Sequence, residues 1–267
     1  MTEVAANPYV PLPAEILSVH PETAIDFTYR LAWPGRPQPG QFFEASVPGL
    51  GEAPISVCDF GEGYIEMTIR KVGRVTDGIF AMRPGQTLFL RGPYGRGFPV
   101  ERLEGRHLIV AAGGTGLAPV RSVINHFVRH RDRVQALDVL LGFKTPADVL
   151  FRDDLTAWAR NTSVRITVDR PDQAWQGHVG VITTVLPHVE IEDLGAVEAV
   201  VVGPPMMMKF TVLALLDRGI PEDHIWVSYE RRMSCGIGKC GHCKINDRYV
   251  CLDGPVFNLS EARWLID

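Results

Sequence analysis

Long apolar runs are missing from this sequence. The longest, such as Gly195 to Pro205, fall far short of the roughly 20 residues a helix needs to cross a bilayer. Basic blocks are missing too. Lys and Arg number 27 against 31 Asp and Glu, for a formal charge of −4, so no nucleic-acid footprint is present. There is no internal repeat or low-complexity segment, and Met1 to Pro11 lack the basic and apolar regions of a signal peptide. Cysteine is scarce, at five in 267 residues, with Cys58 alone and the rest crowded near the C-terminus. That distribution argues for reduced thiols and a metal site rather than a disulfide framework, and hence for a cytoplasmic location. What remains is an ordinary composition, 46% hydrophobic and 22% charged, long enough for two compact domains or slightly more.

The crowded cysteines are Cys235, Cys240, Cys243 and Cys251, in the pattern C-x4-C-x2-C-x7-C. The first three match the spacing of plant-type [2Fe–2S] ligation. Gly236, Gly238 and Gly241 lie between them, so a short loop can curl around a cluster and aim backbone N–H groups at its sulfurs. Structural zinc is the alternative. Its sites usually come as two well-separated pairs, and here an x4 and an x2 interval sit side by side. His242 lies between two ligands and reads as solvent-facing, because four thiolates already complete the set. An iron–sulfur centre moves single electrons, so the chain is expected to handle electrons.

Residues 14 to about 100 read as short strands at period two, such as 63–72 and 86–91, broken repeatedly by Pro and Gly. That texture predicts a closed barrel or a sandwich. From about residue 105, buried strands (107–112, 137–143, 164–168, 197–203) alternate with helical stretches at 120–131, 148–158, 180–186 and 206–218. The alternation predicts a parallel sheet covered on both faces. A last strand, Ile225 to Ser228, leads into the cysteines. The expected fold is therefore mixed: an N-terminal β region over 1–102, an α/β domain over 103–224, and a cysteine-bearing region over 225–267.

Two glycine-rich turns follow buried strands and open helices. One is Gly113, Gly114, Thr115, Gly116, Leu117, Ala118 and Pro119; the other is Gly203, Pro204, Pro205 and Met206. Such turns at the carboxyl ends of parallel strands are where nucleotides bind in open sheets, although helix initiation alone also explains them. Met206 to Met208 read equally as core filler. In the first region, Ser56 follows Pro54 and Ile55. Arg70 and Lys71 precede a turn at Gly73 and Thr76, and Arg91-Gly-Pro-Tyr-Gly reads as a flexible loop. These residues fit a flavin's polar edge and pyrophosphate, and fit as well a solvated basic edge strand.

Taken in order, these elements resemble the ferredoxin–NADP⁺ reductase superfamily, which runs from a flavin-binding β-barrel to a nicotinamide-nucleotide α/β domain. The stretch from Ser228 to Phe257 is very similar to two families within it. They are the γ subunits of cytoplasmic NADP-linked [NiFe] hydrogenases (sulfhydrogenases) and the B subunits of anaerobic sulfite reductases. Dihydroorotate dehydrogenase electron-transfer subunits are similar as well, with a longer cysteine loop. The resemblance implies that Pro54, Ile55 and Ser56 form the flavin segment. It implies that Ile69, Arg70, Lys71, Val72, Gly73, Val75 and Thr76 form the FAD-binding strand and pyrophosphate turn. The two glycine turns would hold the nicotinamide nucleotide and the four cysteines the cluster. Ala53 stands where the family usually has arginine, which leaves Arg70 as the substitute cation.

The implied activity is a diaphorase that passes electrons between NAD(P)H and a partner through FAD and one [2Fe–2S] cluster. It requires orientation of cofactors and no acid–base constellation, so no catalytic residue is expected. Asp169, His178 and Cys58 read as structural, while Tyr229 and Glu230 are the candidates to line the nicotinamide site. Lys144, Arg152 and Arg170 slightly favour NADPH by their fit to a 2′-phosphate. The expected partners are the iron–sulfur and catalytic subunits of a hetero-oligomer of hydrogenase or sulfite reductase type; Tyr249 and Gly254 to Phe257 read as a docking lip for them or, equally, as residues buried against the chain's own barrel. A zinc-bearing, non-enzymatic module on the same fold is the contrasting expectation.

Overall fold

The structure, a computed structural model, describes residues 7–262, so the outer ends of the first and third expected segments lie outside the described residues. Six antiparallel strands close a barrel: β1 (Leu12–Pro21), β2 (Asp26–Ala32), β3 (Phe42–Val47), β4 (Gly51–Gly61), β5 (Tyr64–Arg70) and β6 (Thr87–Tyr94). Their order is β1-β2-β5-β4-β3-β6. Alternation along each strand fills the interior. Tyr29 and Leu31 point in while Arg30 points out, as the two-residue period of a pleated strand requires. Helix α1 (Arg74–Phe80) plugs one end with Ile79, whose carbonyl accepts from the Tyr29 hydroxyl at 3.0 Å. Burial pushes that hydroxyl's pKa up to about 12.

One sequence expectation is corrected here. Arg91 to Tyr94 is the end of β6 and no flexible loop, with Glu44 opposite Arg91 and Phe42 opposite Tyr94 on β3. A register shift between Phe42 and Glu44 accommodates Gly92 and Pro93, which have no place in an unbroken ladder.

After the short α2 (Val100–Leu103) the chain builds a seven-stranded sheet. Its members are β7 (His107–Gly113), β8 (Ala136–Phe143), β9 (Ser163–Val168), β10 (His178–Val179), β11 (Val197–Val202), β12 (Ile225–Ser228) and, further along the chain, β15 (Val256–Asn258). The order is β10-β9-β8-β7-β11-β12-β15, parallel except for β15. β7 and β11 are buried throughout, which is why they read as unbroken apolar runs. Their alternate residues serve two faces. Leu108 and Val110 pack toward α3 (Leu117–Arg129) and α4 (Arg152–Trp158). Ile109 and Ala111 pack toward α5 (Pro205–Asp217) and the cysteine region.

The helix expected over 180–186 is absent. Two single 3₁₀ turns, Ile182–Thr184 and Leu186–His188, stand there. Five successive β-branched residues, Val181 to Val185, disfavour α-helix, and Pro187 removes a donor. Between β12 and β15 the chain makes one excursion, which contains a hairpin of β13 (Lys244–Ile245) and β14 (Arg248–Tyr249). The short α6 (Leu259–Ala262) follows β15.

Candidate functional site

A cavity of about 650 Å³ opens where barrel, sheet and cysteine region meet. β4 supplies Ala53, Pro54, Ile55 and Ser56, and β5 supplies Thr68 and Arg70. Val72 comes from the turn into α1 and Thr76 from its first turn, Thr115 from the glycine turn before α3, and Ala118 and Pro119 from the start of α3. Ser228 to Met233 close the far side. The volume is that of a small-molecule or cofactor site.

Strand alternation decides which expected residues reach it. Thr68 and Arg70 face the cavity, while Ile69 between them is wholly inside the barrel. Lys71 turns away into a separate groove with Phe27, Phe80 and Met82. Val75 packs against the barrel core. Arg70 is held by a bidentate pair with the buried Asp26, at 2.7 and 3.0 Å. That hydrogen bonding raises the Arg70 pKa, so its charge is permanent and aimed. The Thr76 hydroxyl accepts from the amides of Val72 and Gly73, both at 3.0 Å, and so shapes the turn. The cavity also includes Arg231, Arg232 and Met233. Sequence reasoning missed these because nothing in their spacing distinguishes them from ordinary loop residues.

Tyr229 and Glu230 lie on the same wall. Burial raises the pKa of both. Glu230 is nonetheless exposed.

The two glycine turns stand side by side on neighbouring strands, with Ala112 opposite Val202. They touch through backbone. A Cβ on Gly116 would fall 2.7 Å from the Gly203 Cα, and one on Gly203 would fall 3.0 Å from the Gly113 nitrogen. Gly114 has φ +54 and Gly203 φ +156, conformations that favour glycine. Leu117 is core, whereas Pro204, Pro205 and Met206 are exposed at the turn's rim. Lys144 and Arg170 end adjacent strands and are joined by an Arg170 amide to Lys144 carbonyl bond of 2.9 Å. Arg152 is further along, bound to the Pro146 carbonyl.

The cysteine excursion is closed at its neck by the Tyr229 amide donating to the Pro255 carbonyl at 2.9 Å. Cys235, Cys243 and Cys251 are buried and Cys240 is exposed. The thiols fall into two neighbouring pairs that influence one another's ionisation, Cys235 with Cys240 and Cys243 with Cys251. The hairpin β13–β14 accounts for the second pair, since it folds the long x7 interval back on itself. The amides of Ile237, Lys239 and Cys240 point at the Cys235 sulfur at 3.3 to 3.4 Å, and that of Gly238 at the Cys251 sulfur at 3.2 Å. Backbone N–H donation lowers the Cys240 pKa; burial, followed by the Cys243 thiol, pushes Cys251 up to about 12. Among the described residues no three His, Cys, Asp or Glu side chains gather tightly enough for a single ion. Four thiols, with backbone amides aimed at the Cys235 and Cys251 sulfurs, fit the ligation of an iron–sulfur cluster.

Comparison with known proteins agrees with this layout. The oxidoreductase NAD-binding domain family matches residues 110–212, and the iron–sulfur cluster binding domain of dihydroorotate dehydrogenase B matches residues 230–262. Sulfhydrogenase 1 subunit gamma of Pyrococcus furiosus is 36% identical over 94% of this chain and 91% of its own. A probable dihydroorotate dehydrogenase B electron transfer subunit of Thermoplasma volcanium is 32% identical over 86% of this chain and 82% of its own. Among solved structures, an NADH-dependent reduced ferredoxin–NADP oxidoreductase superposes with a TM-score of 0.77 at 24% identity, covering 93% of this chain and 88% of its own.

Proposed function

Because the chain belongs to the ferredoxin–NADP reductase-like family of electron-transfer subunits, we propose that it is the diaphorase subunit of a cytoplasmic, NADP-linked [NiFe] hydrogenase. In this reading it passes electrons between NAD(P)H and a partner redox subunit by way of FAD and one [2Fe–2S] cluster. One observation carries it: Ser228 to Met233, which wall the cavity, run directly into the loop that begins at Cys235. The cofactor space and the thiol site therefore share a wall.

When bound, the nicotinamide supplies a hydride, the flavin divides its two electrons, and the cluster moves one electron at a time. The residues of the chain orient and screen. Arg70, aimed by Asp26, would meet a pyrophosphate, beside the turn that the Thr76 hydroxyl shapes. Ser56 and the β4 backbone meet the polar edge of a flavin ring. The glycine turns let dinucleotide phosphates approach the backbone, with Lys144 and Arg170 placed for a 2′-phosphate. Tyr229 and Glu230 wall the space for the nicotinamide, and the four thiolates hold iron.

The hydrogenase reading is preferred over the dihydroorotate dehydrogenase one because the sulfhydrogenase gamma relatives are 36% and 35% identical over 94% and 96% of this chain, slightly more on both counts than the 34% over 93% of the Methanothermobacter thermautotrophicus dihydroorotate dehydrogenase subunit. The proposal is tested by an anaerobic visible spectrum with flavin and iron analysis, before and after NADPH and then NADH. One FAD and two irons per chain, bleached faster by NADPH, is the expected result. A colourless, zinc-containing protein would overturn it.

A further inference from the structure

We propose that Arg91 is a positioning residue. It fixes the first arm of the cysteine loop, Ser234 and Cys235, to the wall of the cofactor cavity, and thereby governs how fast electrons pass between the two. The inference deepens the proposed function and rests on it.

Arg91 lies at the barrel's edge on β6 with its side chain 4% exposed. Its five N–H groups meet five acceptors. Nε and Nη2 donate to the Glu52 carboxylate at 3.1 and 2.6 Å. Nη2 also donates to the Ser234 carbonyl at 2.8 Å, and Nη1 to the Cys235 carbonyl at 2.9 Å and the Tyr94 hydroxyl at 3.1 Å. Glu52 is followed on β4 by Ala53 and Pro54, which line the cavity. One guanidinium thus bridges the cavity wall and the backbone of the first cysteine. Beneath it the Tyr94 ring packs so closely on Gly236 that a Cβ there would fall 2.6 Å away. Only a planar five-donor fork can serve a carboxylate and two carbonyls in fixed directions at once; a lysine offers three donors from one point.

The test uses the flavin- and iron-loaded protein with Arg91→Ala and Arg91→Lys. Three quantities are followed: flavin bleaching by NADPH, appearance of the reduced-cluster paramagnetic signal, and amide hydrogen exchange over residues 234–241. Expected in Arg91→Ala are bleaching within about twofold of wild type, a cluster signal slowed at least about tenfold, and faster exchange in the loop. Arg91→Lys should fall between. Wild-type cluster kinetics or wild-type loop exchange in folded Arg91→Ala would overturn the inference, as would equal slowing of both electron steps. If Arg91→Ala fails to fold, Arg91→Lys decides: a slowed signal with faster exchange supports the inference, and any other result removes it. A wild-type chain without iron would remove the functional reading and this inference together, whereas an iron-loaded chain indifferent to Arg91 overturns this one alone.

Discussion

Glu44 is fully enclosed on β3, and neither of its carboxylate oxygens has a hydrogen-bond partner among the described residues. Burial pushes its pKa up to about 7, the nearby Glu52 adds to the rise, and Arg91 opposes it. The folded protein therefore holds this proton more tightly than the unfolded chain does. The resulting stabilisation is fully present below the unfolded value near 4.5 and is lost as pH rises through about 7. A rise of that size corresponds to about 3 kcal/mol. Glu44→Gln should flatten the stability profile between pH 5 and 8 and make the variant the more stable protein at pH 8. Urea unfolding at three pH values checks this, and identical slopes for the two proteins would refute it. The glycines illustrate a limit of sequence reading at this scale. Their presence at the strand ends marked both turns, yet the sequence could not reveal that the backbone of Gly203 requires Gly116 and that of Gly113 requires Gly203.

Among the elements, the cysteine excursion was the most legible, because its crowded cysteines and glycines stand out from the rest of the chain and the iron–sulfur cluster binding domain match falls on the same residues. What the sequence concealed was its frame. Val256, Phe257 and Asn258 are too short a run to stand out by period, yet they pair with Ser228, Val227 and Trp226 and anchor the excursion in the sheet. Likewise Arg91 to Tyr94 looked like a loop because Gly and Pro dominate it, and only pairing with β3 makes it a strand. The long strands β7, β8 and β11 were legible because burial on both faces leaves an unbroken apolar signature. A loop pinned at both ends should tolerate loss of one exposed thiol without unfolding. Cys240→Ser is therefore expected to lose iron and transfer to one-electron acceptors while NAD(P)H still bleaches the flavin. Iron analysis and anaerobic spectroscopy measure both. Loss of flavin bleaching in a folded variant would contradict a cluster lying after the flavin in the path.

For the whole molecule, the question is what holds the barrel against the sheet, since the cavity exists only where they meet. Arg121 on α3 is one answer, since it ties that helix to the barrel. It donates to Glu66 on β5 at 2.6 Å and to Asp154 on α4, and stacks over Phe151 at 4.6 Å. Its side chain is 13% exposed and that of Glu66 10%. Both Glu66 oxygens are engaged, the second by Arg30, whose side chain is 45% exposed. Arg121→Ala leaves a buried carboxylate with only its outer partner, which should cost about 2–3 kcal/mol, at or below the usual range for breaking a buried pair because Arg30 remains. Arg30→Ala should cost less than about 1 kcal/mol, as exposed pairs do. The two substitutions separate charge from position, for both remove one cation from the same glutamate. Arg121→Ala should also release FAD more readily on dilution, because the cavity takes Ala118 and Pro119 from the same helix start that Arg121 ties to the barrel. Arg30→Ala should retain FAD as wild type does. Equal FAD loss in the two variants would mean that the charge near Glu66 matters and the domain contact does not.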